Sequence, residues 1–170
     1  MFNSAAFKAL SLSFLISLFA LSSNVATAAE ESMDQMLVAE LLTQEKAPDG
    51  VVFELIGNEG DYLLKAIKKV ETYKEQLQKK FPKLDIAVVS HGSEQFNLTK
   101  AKANQSKAKE THTRVQRLVE SDVPVHICAV HASWRDVAPE DFPDYISVSS
   151  TGPAEIRNYQ EFGYQLIVVE

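Results

Sequence analysis

Short apolar segments are spaced along the chain between longer segments of mixed polarity. Five of them have the length of a strand; they are residues 51–56, 84–89, 124–130, 145–148 and 164–168. The first is apolar almost throughout, which is typical of a parallel strand that is covered on both faces. The pattern therefore predicts five strands, the first of them fully buried.

Between these segments, apolar residues recur every three or four positions, which is the spacing of an amphipathic helix. The longest such segment runs from Asp61 to about Phe81, where Pro82 ends the helix. Three shorter helices are expected, at residues 111–121, at residues 131–137 and from Thr151 onward. Strands that alternate with helices predict a three-layer α/β/α fold with a mainly parallel sheet of about five strands.

A short extension, residues 29–49, precedes this α/β domain, which we place at residues 50–170. Ser32 and Gln35 have the spacing of a capping box, and apolar residues at helical spacing follow them. We therefore expect the extension to be partly helical. Its helix would dock on the core or on another subunit.

A polar segment, residues 93–110, follows the second strand. It contains four lysines, Lys100, Lys102, Lys107 and Lys109. Segments of this length and polarity are typically solvated and mobile, which is the role we expect. The alternative is that the lysines lie near the mouth of a cleft and attract small anions such as sulfur oxoanions.

The first residues follow the plan of a secretory signal peptide. Lys8 is their only charged residue, and Ala26-Thr27-Ala28 is a small-x-small cleavage pattern. The apolar run at residues 10–21 is shorter than the roughly 20 residues that span a bilayer. We therefore expect residues 1–28 to be removed. The protein would then be exported, with the periplasm as the expected compartment, and would keep no stable membrane anchor.

The composition is that of an ordinary globular domain, with 45% hydrophobic and 24% charged residues. The single cysteine excludes an internal disulfide framework. The formal net charge of −6 makes nucleic acid an unsuitable partner, because binding its phosphates requires a concentrated positive surface.

Candidate functional residues follow the carboxyl ends of the strands, where open α/β sheets bind their ligands. Cys128 lies near the end of the third strand, just before a predicted helix whose exposed amide groups favour a thiolate. His91 follows the second strand and could reach Cys128 if the two strands are adjacent. We expect these two residues to carry the chemistry. Four more are expected to bind substrate: Asn58, Thr151, Gly152 and Arg135.

The residues alone leave other roles open for this cysteine. Free cysteine is often buried, so Cys128 could simply pack in the core. His126, Cys128 and His131 form an H-x-C-x-x-H pattern that suits copper or zinc, but only three ligands are local. The main alternative is a non-catalytic binding or assembly module.

A cysteine hydrolase is a further alternative. It would need a third group to orient His91, and Asp61 and Glu155 are the candidates. The sequence has no nucleotide-binding loop, nucleophile elbow or zinc-protease motif, and we expect no cofactor. Two aromatic residues, Trp134 and Phe142, either line the wall of the cleft or cover the edge of the core.

Five short segments, taken in order, identify a family. They are GNEGD at 57–61, VVSHG at 88–92, VPVHICA at 123–129, STGPAEI at 150–156 and QEFGY at 160–164. With the strand and helix pattern, they resemble the DsrE/DsrF-like family of sulfur-relay proteins, which includes the TusD-type subunits and the YchN-like proteins. The resemblance covers about residues 50–170 and implies a parallel α/β/α fold.

The resemblance also implies a function. In the sulfur-relay members, a cysteine at the position of Cys128 accepts persulfide sulfur and passes it on. The resemblance further implies a homo-oligomer, a trimer or hexamer, that works with a sulfur-donor or acceptor protein. Two features depart from the pattern: the best-known relay members are cytoplasmic and lack an export signal, and residues 130–135 are bulkier than is usual after the cysteine. We therefore expect an exported sulfur carrier, with the cytoplasmic pathways of the family in doubt.

Overall fold

The computed structural model describes residues 31–58 and 60–170, so the expected signal peptide lies outside the described residues. Within them, one sheet contains five strands, and every pairing is parallel. The strands are β1 (Gly50–Leu55), β2 (Asp85–Ser90), β3 (Val125–Cys128), β4 (Ser147–Ser149) and β5 (Tyr164–Val168). Their order across the sheet is β4-β3-β2-β1-β5. The predicted fold class is confirmed.

In this part of the chain, five α-helices accompany the strands. They are α1 (Met33–Thr43), α2 (Tyr62–Lys80), α3 (Ser106–Glu120), α4 (Ala129–Ser133) and α5 (Gly152–Glu161). Three short 3₁₀ helices lie in the connections, at Ser93–Leu98, Lys100–Lys102 and Pro139–Asp141. None of the described helices combines the length and the apolar character needed to cross a membrane.

Strand β1, which lies between β2 and β5, shows why its sequence is apolar almost throughout. Phe53 and Leu55 belong to the larger core, together with residues of α1, α2 and α3. Val52, which points the other way, packs with Ile156 of α5 in a smaller core. Helices therefore cover both faces of the sheet, and β1 buries side chains on each of its two faces.

The extension is helical, as predicted, and α1 docks on the core of this chain. Val38 and Leu41 pack into the larger core. Asp34 is fully buried and accepts hydrogen bonds from Lys69 Nζ and Tyr73 Oη, both at 3.0 Å. Burial acts to raise the pKa of Asp34, but hydrogen bonds from Ser32, Lys69 and Tyr73 outweigh it and lower this pKa below its ordinary value. A buried carboxylate thus fixes α1 to α2.

We expect Asp34→Asn to destabilise the protein by about 1 to 3 kcal/mol at neutral pH, because the charge-assisted hydrogen bonds to Lys69 and Tyr73 weaken. The pKa of Asp34 is lowered on folding, so its contribution is complete above the unfolded value of about 3.9 and is lost as pH falls through the folded value. Urea unfolding of the parent and of Asp34→Asn should show a difference in the free energy of unfolding at neutral pH. This difference should become smaller in acid. Asp144→Asn, at a fully exposed carboxylate paired with Lys100, is the control and should leave the midpoint unchanged at either pH.

The expectation that residues 93–110 form a solvated loop is wrong. The segment is folded into two of the 3₁₀ helices and the first turn of α3. Glu94, Gln95, Phe96 and Leu98 are buried within it. Glu94 and Gln95 bind polar groups at the ends of the strands, so the polarity of these two residues reflects internal hydrogen bonding. Most of residues 100–110 are exposed.

Candidate active site

An open cleft of about 610 Å³ lies beyond the carboxyl ends of β1, β2 and β3. Such an edge is where open α/β sheets bind their ligands. Its lining residues follow these strands or begin α5; they are Ile56, Gly57, His91, Gly92, Ser93, Cys128, Val130, His131, Trp134, Thr151 and Pro153. The cleft therefore contains the only cysteine of the chain.

Cys128 is held from two sides at the end of β3. Its backbone N–H donates to Gln95 Oε1 at 2.9 Å, and its Sγ accepts a hydrogen bond from the backbone N–H of His131 at 3.4 Å. The second contact makes Cys128 the N-cap residue of α4. The residue is 5% exposed and borders the cleft, so its sulfur lies at the floor with a backbone donor directed at it.

His91 stands beside this cysteine because β2 and β3 are neighbours in the sheet. Ser90 pairs with Ile127, so that His91 and Cys128 are the next residues along the two strands. His91 Nε2 lies 2.6 Å from Glu54 Oε1, and both side chains are largely buried. A carboxylate bonded to one ring nitrogen fixes the orientation and tautomer of a histidine. Glu54 therefore binds Nε2, and Nδ1 is the other ring nitrogen of His91.

Glu54 supplies the third group that a cysteine–histidine site needs, and neither sequence candidate for this role does so. Asp61 pairs with Lys107 at 2.6 Å, and Glu155 lies 3.8 Å from His126. The sequence signal for Glu54 was a single charge in the otherwise apolar strand β1, because a buried charge requires a partner.

His131 is the second histidine of the cleft. Its Nδ1 lies 2.7 Å from the backbone oxygen of His91, so the two histidine segments are directly connected. Its ring packs edge-on against buried Phe96 and lies 5.2 Å from the ring of Trp134. Trp134 lines the cleft and is 74% exposed.

A buried carboxylate, Glu94, holds the loops at the base of the cleft. Its Oε1 accepts hydrogen bonds from Ser90 Oγ at 2.8 Å and from the Gly92 N–H at 2.9 Å. Its Oε2 accepts from the Gly57 N–H at 2.7 Å. One side chain therefore joins the segments that follow β1 and β2. Gln95, beside it, is also buried, and sequence reasoning assigned neither residue to the site.

The four residues expected to bind substrate have different positions. Thr151 lines the cleft, and its Oγ1 caps α5 by accepting from the Ala154 N–H at 3.1 Å. Gly152 is buried against His91; a Cβ built on it would lie 2.4 Å from His91 Cβ, so its smallness makes room for the histidine. Its position gives it a packing role beside His91.

Asn58 and Arg135 are not among the residues that line the cleft. Asn58 is exposed beyond the end of β1. The Arg135 guanidinium lies over the Phe96 ring, 4.5 Å from its centroid, and donates to Ser93 Oγ at 3.2 Å. Phe142 does not line the cleft either and is buried in the larger core, which fits the second of the two roles expected for it.

The H-x-C-x-x-H pattern does not bring its three residues together. His126 Nδ1 lies 3.0 Å from Ser149 Oγ, and its Nε2 lies 2.8 Å from Tyr159 Oη. Burial lowers the pKa of His126 and raises the pKa of Tyr159 to about 12. Within residues 31–58 and 60–170, no group of three or more His, Cys, Asp or Glu side chains could hold a metal ion.

Comparison with known proteins agrees with this fold. In a search of solved structures, a protein of unknown function, MTH1491 from Methanobacterium thermoautotrophicum, is 20% identical, with a TM-score of 0.57 over 69% of this chain and 96% of that one. The ychN protein from E. coli is 11% identical, with a TM-score of 0.56 over 70% and 98% of the two chains. No curated protein matches the chain. The sequence profile of the DsrE/DsrF-like family matches residues 18–169, and the chain belongs to this family.

Proposed function

We propose that the protein is an exported sulfur carrier in which Cys128 accepts persulfide sulfur and passes it to a second thiol. The main support is the placement of this cysteine at the floor of an open cleft, beside a histidine that is bonded to Glu54. Membership of a family associated with sulfur relay supports the same chemistry.

The transfer needs no oxidant or reductant from outside. The Cys128 thiolate attacks the outer sulfur of a donor persulfide, R–S–SH, and a new S–S bond forms as the donor S–S bond breaks. The electron pair of the broken bond leaves with R–S⁻. Cys128 then carries the persulfide, and an acceptor thiolate removes the outer sulfur in the same way, which restores the Cys128 thiolate.

His91 serves this exchange as the proton carrier. Because Nε2 is bonded to Glu54, Nδ1 is the nitrogen that takes the proton of the Cys128 thiol. The same proton can then pass to the leaving R–S⁻. The backbone N–H of His131 donates to Cys128 Sγ and so holds the sulfur in position between the two steps.

The proposal includes the setting of this exchange. The chain is exported after removal of residues 1–28, most simply to a periplasm, and acts with a sulfur-donor or acceptor protein. It works as a homo-oligomer, a trimer or a hexamer. The plan of the N-terminal residues supports export, and the family supports the assembly and the protein partner.

The test is the intact mass of the mature protein, purified from the compartment to which it is exported and treated with propyl persulfide. We expect a chain that begins at Ala29 or Glu30 and gains one sulfur atom, which dithiothreitol removes. Reversibility and accurate mass separate this sulfur from two oxygen atoms. Cys128→Ser should gain nothing.

The opposite result is a folded protein that gains no sulfur while the urea-unfolded chain reacts readily. Cys128 would then be a packing residue, and a non-catalytic binding module would be the better description. A chain that keeps Met1 would overturn the proposed export alone.

A further inference from the structure

We infer that the cleft selects sulfur compounds whose sulfur is carried on an uncharged, apolar group, and that it rejects sulfur oxoanions and other anionic sulfur compounds. The inference rests on the proposed reaction at Cys128 and adds the chemical class of the substrate. Two features of the cleft carry it, the nature of its walls and the distribution of charge around it.

The walls beside Cys128 are apolar. Ile56 and Val130 are exposed although they are aliphatic, and Trp134 is exposed on the same cleft. Pro153 adds a fourth apolar surface from the start of α5. A group that enters the cleft therefore loses water and contacts carbon on several sides, which is favourable for an alkyl or aryl group.

The charge around the cleft is unfavourable for an anion. Among its described lining residues there is no lysine, arginine, aspartate or glutamate, and the titratable side chains are those of Cys128, His91 and His131. Behind them lie two carboxylates, Glu54 on His91 and buried Glu94 under the loops. An anion would exchange water for apolar walls and nearby negative charge, which costs free energy.

Basic residues near this end of the fold lie outside the lining of the cleft. Lys107 is bound to Asp61, and Lys100 donates to the backbone oxygen of Glu140. Arg135 approaches the rim through Ser93, but its guanidinium lies over the Phe96 ring outside the lining. None of the four lysines of residues 93–110 lines the cleft, so the anion site that this segment suggested is not formed there.

The test compares two thiosulfonate reagents of similar size, propyl methanethiosulfonate and its anionic sulfonatoethyl counterpart. In both, the Cys128 thiolate attacks the sulfenyl sulfur, a mixed disulfide forms, and methanesulfinate leaves. For each reagent, the rate of mixed-disulfide formation in the folded protein is divided by the rate in the urea-unfolded chain. This division removes the difference in intrinsic reactivity between the two reagents. We expect this ratio to favour the propyl reagent by about tenfold or more.

Two controls locate the preference in the cleft. Trp134→Ala should reduce it severalfold, whereas Phe162→Ala, at another exposed aromatic residue that does not line the cleft, should leave it unchanged. Most of the preference should persist at about 1 M salt, where the screening length falls to about 3 Å. A preference that disappears in salt would mean that net charge alone repels the anion, and would overturn the inference.

Equal ratios for the two reagents, or a folded protein that reacts with neither, would also overturn it. These outcomes are separate from those for the proposed function. A cleft that prefers the propyl reagent while Cys128 gains no sulfur from propyl persulfide supports the selectivity and contradicts sulfur transfer. Sulfur gain at Cys128 with equal thiosulfonate ratios supports sulfur transfer and contradicts the selectivity.

Discussion

Glu54→Gln should slow the transfer of sulfur from propyl persulfide to Cys128 by about 10- to 100-fold, by analogy with the loss of a carboxylate that orients a metal-bound histidine. The carboxylate fixes the His91 ring at 2.6 Å and keeps the proton on Nε2, so that Nδ1 is free to accept the thiol proton. A glutamine amide has nearly the same shape but lacks the charge. The measurement is the rate of sulfur gain by intact mass, on variants shown to be folded.

A double-variant comparison separates this role from a general structural one. His91→Ala alone should lower the rate by about 100-fold, which is the ordinary contribution of a general base. In that background, Glu54→Gln should have little further effect, because Glu54 acts through His91. Glu155→Gln is the matched control, since Glu155 lies beside another histidine, His126, that does not line the cleft. A loss that is as large without His91 as with it would contradict the assigned role.

The fold could be predicted largely from the sequence because hydrophobic spacing determines the buried faces of this domain. Strand β5 has the predicted bounds, and α2 and α1 lie where their apolar stripes indicated. The start of α3 at Ser106 was not predicted, since its first turns are mostly polar and only Ala108 and Thr111 are buried there. Helix α4 begins two residues earlier than predicted, at Ala129, which makes Cys128 its cap.

The candidate site could be predicted only where a chemically reactive side chain lies at the end of a predicted strand. Cys128 and His91 were identified in this way, and they line one cleft. The partners that position them were not, because each joins positions far apart in the sequence: Glu54 lies 37 residues before His91, and Gln95 lies 33 residues before Cys128. Such contacts depend on the strand order, which hydrophobic spacing does not specify.

Glu94 is the extreme case, because the most polar-looking segment of the domain contains one of its best-buried side chains. Its carboxylate accepts three hydrogen bonds, from Ser90 Oγ and from the N–H groups of Gly57 and Gly92. A Cβ at Gly92 would lie 2.2 Å from Glu94 Oε2, so the glycine is needed for the carboxylate to fit. The base of the cleft is thus built around this one group.

We expect Glu94→Ala to reduce the free energy of unfolding by about 3 kcal/mol or more, because hydrogen bonds to a buried charge are strong and their donors would be left without a partner. Glu94→Gln should be milder but still destabilising, since an amide nitrogen would face a donor where a carboxylate oxygen accepted. The measurement is urea unfolding at neutral pH. The same variants should also slow sulfur gain at Cys128, because Gly57 and Gly92 line the cleft.

Glu110→Ala is the matched control for this experiment. Glu110 makes two ion pairs, with Lys68 and Arg114 at 3.0 Å each, and its own side chain is 44% exposed. Exposed ion pairs contribute little because water screens them, so this variant should unfold at nearly the same urea concentration as the parent. If Glu94→Ala were no more destabilising than Glu110→Ala, the buried carboxylate would not hold the loops together, and the geometry of the cleft would have to be maintained by the strands alone.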